Sequence, residues 1–474
     1  MEYISTRGQA PNLDFENATL VGLASDGGLY IPDKWPCLSI DDIRALQNKN
    51  YPELASAILS LFVGQSIASD DLDQLMSNAY ANFSHDAIVP LKQLDDKLFF
   101  MELFHGPTLA FKDYALQMLG QFFQYFLKKN NCSRTIVGAT SGDTGSAAIA
   151  GLRGLSAVNL FMLHPRGRIS EVQRRQMTTV QDENIHNLAV EGTFDDCQNL
   201  VKALFNDAEF RQRHSLSAVN SINWARIAAQ VVYYFKAALV LGAPDREINF
   251  SVPTGNFGNV LAGYVAKQMG LPIRRLIIGS NQNDILTRFF ETGVMEKTGV
   301  TPTLSPSMDI QISSNFERYL FELLGHDSDQ LNHIMASFNE SGKFTLDKSL
   351  LQKAQQSFGA YRMDDKQIKT DINQIYKSTG EIIDPHSIIG VSAAKNAAKN
   401  TAKNKHDPSL PTVAIGTAHP AKFPQAIKLA TGIDVTLPAR LWDLMSLEEK
   451  VENVDNDLES IKTRIDCFAR IHEV

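Results

Sequence analysis

The sequence has few cysteines and no excess of positive charge, and each shortage argues against a class of protein. The four cysteines, Cys37, Cys132, Cys197 and Cys467, lie far apart in 474 residues, without a CxxC pair or the spacing of a disulfide framework. This spacing predicts free thiols in a reducing compartment, with the cytoplasm as the default location. The formal net charge of −8, without a basic stripe interleaved with aromatic residues, argues against a nucleic-acid partner.

Long apolar runs and recognisable catalytic signatures are also missing. The longest apolar stretch, Ile227–Gly242, is interrupted by Gln230 and Lys236, so we expect no membrane span. The start of the chain lacks the charged-then-apolar pattern of a signal peptide. The chain contains neither an HExxH motif nor paired His/Cys spacing, so a metal site is not predicted. It also has no GxSxG elbow, so a serine hydrolase is not predicted.

The chain is long enough for two or three domains, and its pattern changes near Leu98. Residues 1–95 are mostly helical in pattern, and a helical, polar insertion is expected over about 327–377. Between them, short β-runs such as "RTIVGA", "VNLFMLHP", "EINFSVP" and "RRLIIGSN" alternate with amphipathic helices. This alternation predicts an α/β fold with a parallel sheet, whose ligands bind at the carboxyl ends of the strands.

Two glycine-rich loops fall at predicted strand-to-helix junctions. "GATSGDTGSAA" (138–148) lacks the spacing and the lysine of a nucleotide P-loop, since Asp143 stands where the lysine is needed. Its N–H groups and the hydroxyls of Ser141 and Thr144 suit a smaller anion, such as a carboxylate. "PTGNFGN" (253–259) suits one phosphate monoester. For both loops a simple tight turn is an equally good interpretation at this point.

Lys112, in "FHGPTLAFKDY", opens a predicted helix within a mostly apolar stretch. A surface lysine with its stem on apolar neighbours is the ordinary interpretation. Together with a single-phosphate cradle and a carboxylate-sized loop, however, this lysine indicates pyridoxal phosphate, which needs a lysine for its Schiff base and a nest for its phosphate. Burial also lowers the pKa of a lysine and makes it nucleophilic at neutral pH.

Eight fragments then carry a family resemblance: "YISTRG", "LASDGGLYIP", "FHGPTLAFKD", "ATSGDTGSAA", "HPRGRIS", "NSINWARI", "PTGNFGN" and "GTAHPAKFP". In this order, almost end to end, they resemble the threonine synthase family of pyridoxal-phosphate enzymes, of the tryptophan-synthase-β-like fold type II. The length and the insertion resemble its longer microbial and fungal branch. The resemblance implies two parallel-sheet α/β domains with the cofactor between them, plus the N-terminal domain. The implied boundaries are 96–127 with 215–474 for the large cofactor-binding domain and 128–214 for the small one.

The resemblance also implies roles for individual residues. Lys112 is the implied Schiff-base lysine, and Thr417 the partner of the pyridine nitrogen. The cofactor phosphate is implied to lie on Gly255, Asn256, Phe257, Gly258 and Asn259. The loop for the substrate carboxylate is Ser141, Gly142, Asp143 and Thr144, where Asp143 replaces the Asn of many fold-type-II enzymes. The candidates for gripping the substrate phosphate are Arg168, Ser170, Ser221, Asn223 and Arg226; a surface ion pair is the alternative for both arginines.

The implied reaction converts O-phospho-L-homoserine and water to L-threonine and phosphate by γ-elimination and β-hydration, the last step of threonine biosynthesis. Lys112, freed by the substrate amine, is the natural base for the α-proton because it lies next to Cα. The alternative is a lyase that eliminates phosphate from a phosphorylated amino acid and releases a 2-oxo acid. We expect a small-molecule substrate as the only ligand besides the cofactor, and a monomer or homodimer.

Overall fold

The N-terminal region of the chain is mostly helical, as its sequence pattern predicts. The computed structural model describes residues 1–400 and 407–468. The first three helices begin at side-chain caps; Asn50 and Glu53, for example, form a reciprocal capping box at the start of α3. The elements of this region are β1 Tyr3–Ser5, α1 Phe15–Val21, β2 Tyr30–Pro32, α2 Ile40–Ala45, α3 Tyr51–Val63 and α4 Ser69–Tyr80.

Strands and helices alternate over the next part of the chain. These elements are β3 Leu91–Gln93, β4 Leu98–Glu102, α5 Lys112–Lys129, β5 Arg134–Ala139, α6 Asp143–Leu152, β6 Val158–Pro165, α7 Glu171–Thr178, β7 Ile185–Val190, α8 Phe194–Asn206, α9 Ala208–Arg213, β8 Leu216–Ser217 and α10 Trp224–Val240.

The alternation continues, with additional helices, to the end of the described chain. Its elements are β9 Ile248–Pro253, α11 Gly258–Gln268, β10 Ile273–Ser280, α12 Ile285–Thr292, β11 Val294–Glu296, α13 Phe316–Leu323, α14 Ser328–Ser341, β12 Lys343–Thr345, α15 Lys348–Ser357, β13 Phe358–Arg362, α16 Asp365–Thr379, α17 Ser387–Lys399, β14 Thr412–Gly416, α18 Pro424–Thr431, β15 Glu452–Val454 and α19 Leu458–Phe468.

Two sheets organise the molecule. The larger has the order β13-β10-β9-β14-β4-β3 and is parallel except for the β3–β4 pair. The smaller has the order β15-β7-β6-β5-β8 and is parallel throughout. Two short antiparallel pairs, β1–β2 and β11–β12, lie outside them. The predicted α/β fold with parallel sheets is therefore confirmed.

The helical insertion expected over 327–377 contains more than helices. It includes α14, α15 and α16, but β13 within it pairs in parallel with Leu276–Ser280 of β10 and forms the edge of the larger sheet. Phe358 is buried there against the aromatic rings of Phe290 and Tyr319. The segment is thus part of the main sheet's core, because its short apolar run "FGAY" covers that edge.

The last described residues belong to the smaller sheet. β15 pairs with Leu188–Val190 of β7, although the sequence analysis assigned all of 215–474 to the large domain. Val454, Ile461 and Ile465 join the apolar cluster of that sheet. The segment between α18 and β15 contacts the surroundings of both sheets. Its Arg440 Nη2 donates to Gly106 O, after β4, at 2.6 Å. Its Glu449 Oε2 accepts from Thr178 Oγ1, at the end of α7, at 2.6 Å.

The largest core packs the N-terminal helices against α5 and α10. Trp224, at the start of α10, is buried among Tyr3, Trp35 and Phe62. Among the described residues, no helix is long and apolar enough to cross a bilayer. The four cysteines are free thiols.

Candidate active site

Three neighbouring strands of the larger sheet deliver the candidate residues at one edge. β9, β14 and β4 are adjacent and parallel, so their carboxyl ends lie side by side. The loop 254–257 follows β9, Thr417 follows β14, and the loop that leads to Lys112 follows β4. Phe111 N donates to Thr417 O at 2.8 Å, which ties the start of α5 to the end of β14. The sheet thus brings the predicted Schiff-base lysine and the predicted ring-nitrogen partner together.

Lys112 is not an ordinary surface lysine. Its side chain is 13 % exposed, and its Nζ lies 3.3 Å from Asp143 Oδ2. Burial lowers the pKa of Lys112; the nearby carboxylate of Asp143 opposes this shift, whereas the positive charges of Lys422 and Arg226 add to it. A lowered pKa increases the fraction of uncharged amine, the form that attacks an aldehyde.

Asp143 connects the two sheets at the site. It begins α6, which follows β5 of the smaller sheet, and it contacts lysines that follow strands of the larger sheet. Its carboxylate accepts from Lys422 Nζ at 2.8 Å and from Gln173 Nε2 at 2.8 Å. Burial by itself would raise the pKa of Asp143, but Lys422 and Lys112 outweigh it and hold this pKa well below its usual value. The carboxylate is therefore ionised between two ammonium groups.

The loop that contains Asp143 keeps its shape through internal hydrogen bonds. Thr140 Oγ1 accepts from Gly142 N at 3.0 Å and from Gly145 N at 2.8 Å. Gly142 has φ +136°, and a Cβ there would lie 2.5 Å from Gln173, so only glycine fits. The hydroxyls of Ser141 and Thr144 make no hydrogen bond to another described residue and are available to a ligand.

The "PTGNFGN" loop forms the predicted nest at the start of α11. Within the described chain, none of the N–H groups of residues 255–259 donates to a backbone carbonyl. Its left-handed residue is Phe257, with φ +62°, rather than either glycine. The ring of Phe257 is buried against Phe290, Phe316, Tyr319 and Phe358, and this packing holds the strained backbone in place.

Two buried donors beside the nest lack a partner among the described residues. Asn259 Oδ1 accepts from Tyr233 and Tyr234, each at 2.8 Å, but its Nδ2 makes no hydrogen bond. Arg226 Nη1 donates to Val219 O at 3.0 Å, but in the described part of the chain its Nε has no acceptor and no carboxylate forms an ion pair with it. Burial lowers the pKa of Arg226 to about 10. Buried donors and an uncompensated charge are costly unless an anion binds there.

Thr417 is buried and meets the hydroxyl of Ser387. Thr417 N donates to Ser387 Oγ at 2.7 Å, and the two hydroxyl oxygens lie 3.3 Å apart. Because either hydroxyl can be the donor in that contact, Thr417 Oγ1 retains one hydrogen-bonding position for a ligand atom.

The five candidates for the substrate phosphate are not equivalent. Arg226 is buried and uncompensated, as described above. Ser221 lies close to the nest, since Asn315 Nδ2 donates to Ser221 O at 3.0 Å and to Asn256 O at 3.2 Å. Asn223 uses its amide within the protein, where it caps α10 and donates to Thr19 O at 2.8 Å.

The other two candidates lie on the smaller sheet's side. Arg168 is exposed, and its charge acts on the pKa of Asp196. Ser170 caps α7 and donates to Gln173 Oε1 at 2.9 Å. Ser170 therefore acts on Asp143 through Gln173.

Sequence patterns missed several residues of the site. Lys422, Gln173, Asn315 and Arg318 come from three separate segments, since Asn315 and Arg318 both lie at the start of α13, and these segments meet only in the fold. Arg318 is fully buried and donates to Asn315 Oδ1 at 2.5 Å and to Ile222 O at 2.6 Å, which fixes the segment before α10. Only Lys422 carried a signal, since it is a lysine within the small apolar fragment "HPAKF".

These features fit an aldehyde cofactor with one phosphate monoester. The amine of Lys112 has a lowered pKa, the nest offers unused N–H groups, and Asn259 Nδ2 is an orphaned buried donor. Thr417 lies beside the start of α5, since Phe111 N donates to Thr417 O at 2.8 Å. The residues present suit pyridoxal phosphate.

Comparison with protein-family models gives three matches that together cover most of the chain. Residues 2–80 match the threonine synthase N terminus, residues 87–415 match the pyridoxal-phosphate-dependent enzymes, and residues 387–465 match the C-terminal part of threonine synthase.

Individual relatives agree with these models. A threonine synthase from Pseudomonas aeruginosa is 49% identical, over 98% of this chain and 97% of its own. The crystal structure of a pyridoxal-phosphate-bound threonine synthase from Brucella melitensis is 50% identical and superimposes with a TM-score of 0.95, over 99% of this chain and 100% of its own. The crystal structure of the yeast threonine synthase is 42% identical with a TM-score of 0.92, over 98% of both chains.

Proposed function

Because the chain belongs to the threonine synthase family of pyridoxal-phosphate-dependent enzymes, we propose that it converts O-phospho-L-homoserine and water to L-threonine and phosphate, the last step of threonine biosynthesis. Its cofactor is pyridoxal 5′-phosphate. The observation that carries the proposal is Lys112: a buried amine of lowered pKa at the edge where the nest and Thr417 also lie.

In this proposal the cofactor is held from three strand ends. Lys112 binds its aldehyde as a Schiff base, and the N–H groups of residues 255–259 hold its phosphate. Thr417 Oγ1 donates a hydrogen bond to the ring nitrogen. When bound, the cofactor supplies an electron-withdrawing ring that stabilises negative charge at the substrate Cα.

The substrate lies between the two sheets. The hydroxyls of Ser141 and Thr144 bind its carboxylate, and the Arg226 guanidinium binds its phosphate. Ser221 lies beside the nest, Arg168 and Ser170 approach from the smaller sheet, and Asn223 orients the start of α10. Once the substrate amine has replaced it, Lys112 Nζ takes the α-proton, for which it needs to be uncharged.

Arg226 serves the elimination directly. The leaving phosphate gains negative charge as its bond to Cγ breaks, and a buried guanidinium stabilises that charge more strongly than one in water. The uncompensated state of Arg226 supports this role, because the site is electrostatically incomplete without an anion.

The direct test is product analysis. The purified holoenzyme is incubated with O-phospho-L-homoserine, and the organic product is identified by mass spectrometry alongside released phosphate. We expect threonine and phosphate in equal amounts. A 2-oxo acid in place of threonine would assign the chain to the alternative lyase, and no phosphate release would overturn both.

The cytoplasm is our proposed site of action, because all four cysteines are free thiols and suit a reducing compartment. We propose a monomer or homodimer as the working form, to be measured by light scattering of the purified protein.

A further inference from the structure

Lys422 is a fully buried lysine to which neither the sequence analysis nor the proposed function gives a role. It follows β14 in the fragment "HPAKF", and its side chain is 0% exposed. Its ammonium donates to Asp143 Oδ1 at 2.8 Å and to Thr108 O at 2.8 Å. A buried ammonium is retained in a fold only where it is paired and hydrogen-bonded, and both conditions are met here.

The same carboxylate serves two lysines. Asp143 presents Oδ2 to Lys112 Nζ at 3.3 Å and Oδ1 to Lys422 Nζ at 2.8 Å. Lys422 is thus the closer and more buried of the two partners. With Gln173 Nε2 also on Oδ1, the carboxylate is fixed from three elements.

This arrangement sets the charge on Lys112. A buried carboxylate whose only cation is Lys112 would favour a proton on Lys112 Nζ, because losing that proton would leave an unpaired buried anion. Lys112 must nevertheless be uncharged to attack an aldehyde or to accept a proton. With Lys422 present, the Asp143–Lys422 pair stays neutral when Lys112 loses its proton.

We propose that Lys422 is a positioning residue for Lys112: its ammonium holds the carboxylate of Asp143 as an ion pair and so prevents that carboxylate from retaining the proton on Lys112 Nζ. The inference rests on the proposed function only in taking Lys112 as the residue that binds the cofactor.

Two other charged groups lie near Lys112, one that acts in the same direction as Lys422 and one that is bound by another residue. Arg226, on α10, also disfavours the proton on Lys112. Asp113, next to Lys112 on α5, is buried, and burial raises its pKa to about 6, although Thr108 and Lys422 partly counter the rise. Its carboxylate is bound by Thr108 N at 2.9 Å and Thr108 Oγ1 at 2.6 Å rather than by Lys112.

The test is a pH titration of the visible absorption of the holoenzyme, which reports the proton on Nζ of the cofactor-linked Lys112. In Lys422→Met the side chain keeps its length and loses its charge, so we expect the apparent pKa to rise by about one unit or more. Lys428→Met is the matched control, since Lys428 is 60% exposed and pairs with Asp434 on the surface; we expect no shift there. An unshifted pKa in a folded Lys422→Met holoenzyme would overturn the proposal.

A second pair of variants covers the case in which Lys422→Met does not fold. Asp143→Asn removes the anion, so the apparent pKa should fall below that of the unaltered enzyme. Adding Lys422→Met to Asp143→Asn leaves no orphaned charge, and its apparent pKa should rise above that of Asp143→Asn alone. Equal values in these two variants would show that the charge of Lys422 does not act on Lys112.

One outcome separates this inference from the proposed function. Borohydride reduction of the unaltered holoenzyme should fix the cofactor on Lys112. Fixation on another lysine would overturn the proposed role of Lys112 and this inference with it. Fixation on Lys112 with unshifted pKa values would overturn the inference alone.

Discussion

At the residue scale, the site is built from buried charges that the protein alone does not fully balance. Within residues 1–400 and 407–468, Arg226 has an orphaned Nε and no ion-pair partner, whereas Asp143 has two cations. A site of this kind is stabilised by its ligands, because binding an anion supplies the charge that the folded chain lacks.

The first prediction concerns Arg226. Arg226→Met removes the proposed charged contact to the substrate phosphate; such contacts contribute roughly 1.5–3 kcal/mol, so kcat/KM for O-phospho-L-homoserine should fall about ten- to hundred-fold. The same change replaces an uncompensated buried charge with an apolar chain of similar volume. The cofactor-free protein should therefore unfold at an equal or higher urea concentration than the unaltered one.

The control for that prediction is Arg166→Met, since Arg166 is exposed and pairs with Glu191 at 3.1 Å. It should change neither turnover nor stability appreciably. Unchanged kcat/KM in Arg226→Met would mean that Arg226 does not contact the substrate.

The second prediction concerns Asp113 and pH. Burial raises the pKa of Asp113 from 3.8 to about 6, so the folded state binds the proton more tightly than the unfolded state does. The contribution of Asp113 to stability is therefore complete below pH 4 and is lost as the pH rises to about 6, an effect of about 2–3 kcal/mol. The difference in unfolding free energy between the unaltered chain and Asp113→Asn should follow this curve.

The comparison with Asp113→Asn is needed to isolate Asp113, because histidines that are shielded from water change the stability of the chain in the opposite direction over this pH range. Burial lowers the pKa values of His164, His186 and His419 to about 4, so their contribution to stability rises over the same pH range. A pH-independent difference between the two chains would show that Asp113 is already ionised at pH 4.

At the element scale, the nest depends on packing from outside the loop. A Cβ on Gly258 would lie 3.3 Å from both Asn315 Nδ2 and Ile227 Cδ1, whereas a Cβ on Gly255 would make contacts no closer than 3.4 Å. Gly258 thus permits close packing of α11 on α10, whereas the protein around Gly255 leaves room for a Cβ. Substitutions at the two glycines can therefore distinguish an effect on folding from an effect on cofactor binding.

The third prediction uses this difference. Gly255→Ala should fold with nearly unchanged stability and retain less cofactor, because its Cβ crowds the nest only when a phosphate is present. Gly258→Ala should lose both stability and cofactor. Cofactor occupancy after dialysis and urea unfolding measure the two effects, and full occupancy in Gly255→Ala would reduce the loop to a tight turn.

The elements predicted from sequence are those with strong local signals. β5 and β6 begin and end where their apolar runs do, and α5 begins at Lys112, the residue predicted to open it. β13 was not predicted, because its five residues lie between helices α15 and α16 and become a strand only by pairing with β10. Local pattern cannot reveal such pairing.

The site shows the same limit. Lys112, Thr417 and the nest could be predicted because each stands in a fragment with a recognisable order. Gln173 and Asn315 stand in ordinary helical or loop sequence, and their importance comes from contacts to Asp143 and to Asn256 across the fold. Such contacts are set by tertiary packing and leave no spacing rule in the chain.

At the scale of the whole molecule, the smaller sheet contributes to two apolar clusters. Ile136 and Leu160 belong to the largest core, which also contains strands of the larger sheet. Val454 belongs to a second cluster, made of residues from the smaller sheet and its helices, whereas Lys112 and the nest lie on the larger sheet. Damage to this second cluster should therefore affect the proposed substrate loop more than cofactor attachment.

The fourth prediction tests this separation. Val454→Asp places a carboxylate in the apolar cluster and should lower the free energy of unfolding by several kcal/mol. Turnover should fall, while borohydride still fixes the cofactor on Lys112. The matched control is Asn453→Asp, because Asn453 is exposed on the same strand. Loss of cofactor fixation in Val454→Asp in parallel with turnover would show that the two sheets unfold as one unit.

The position of β15 also has a consequence for the order in which the protein is made. β7 ends at Val190, and the strand that covers its edge begins at Glu452. At roughly 5–20 residues per second, synthesis leaves that edge open for about 15–50 s on the ribosome. An exposed strand edge is a template for pairing with other chains, so the nascent protein should be a client of ribosome-associated chaperones until β15 has emerged and paired with β7. Stalled or prematurely terminated chains would keep the edge open and be removed as aggregates or by proteolysis.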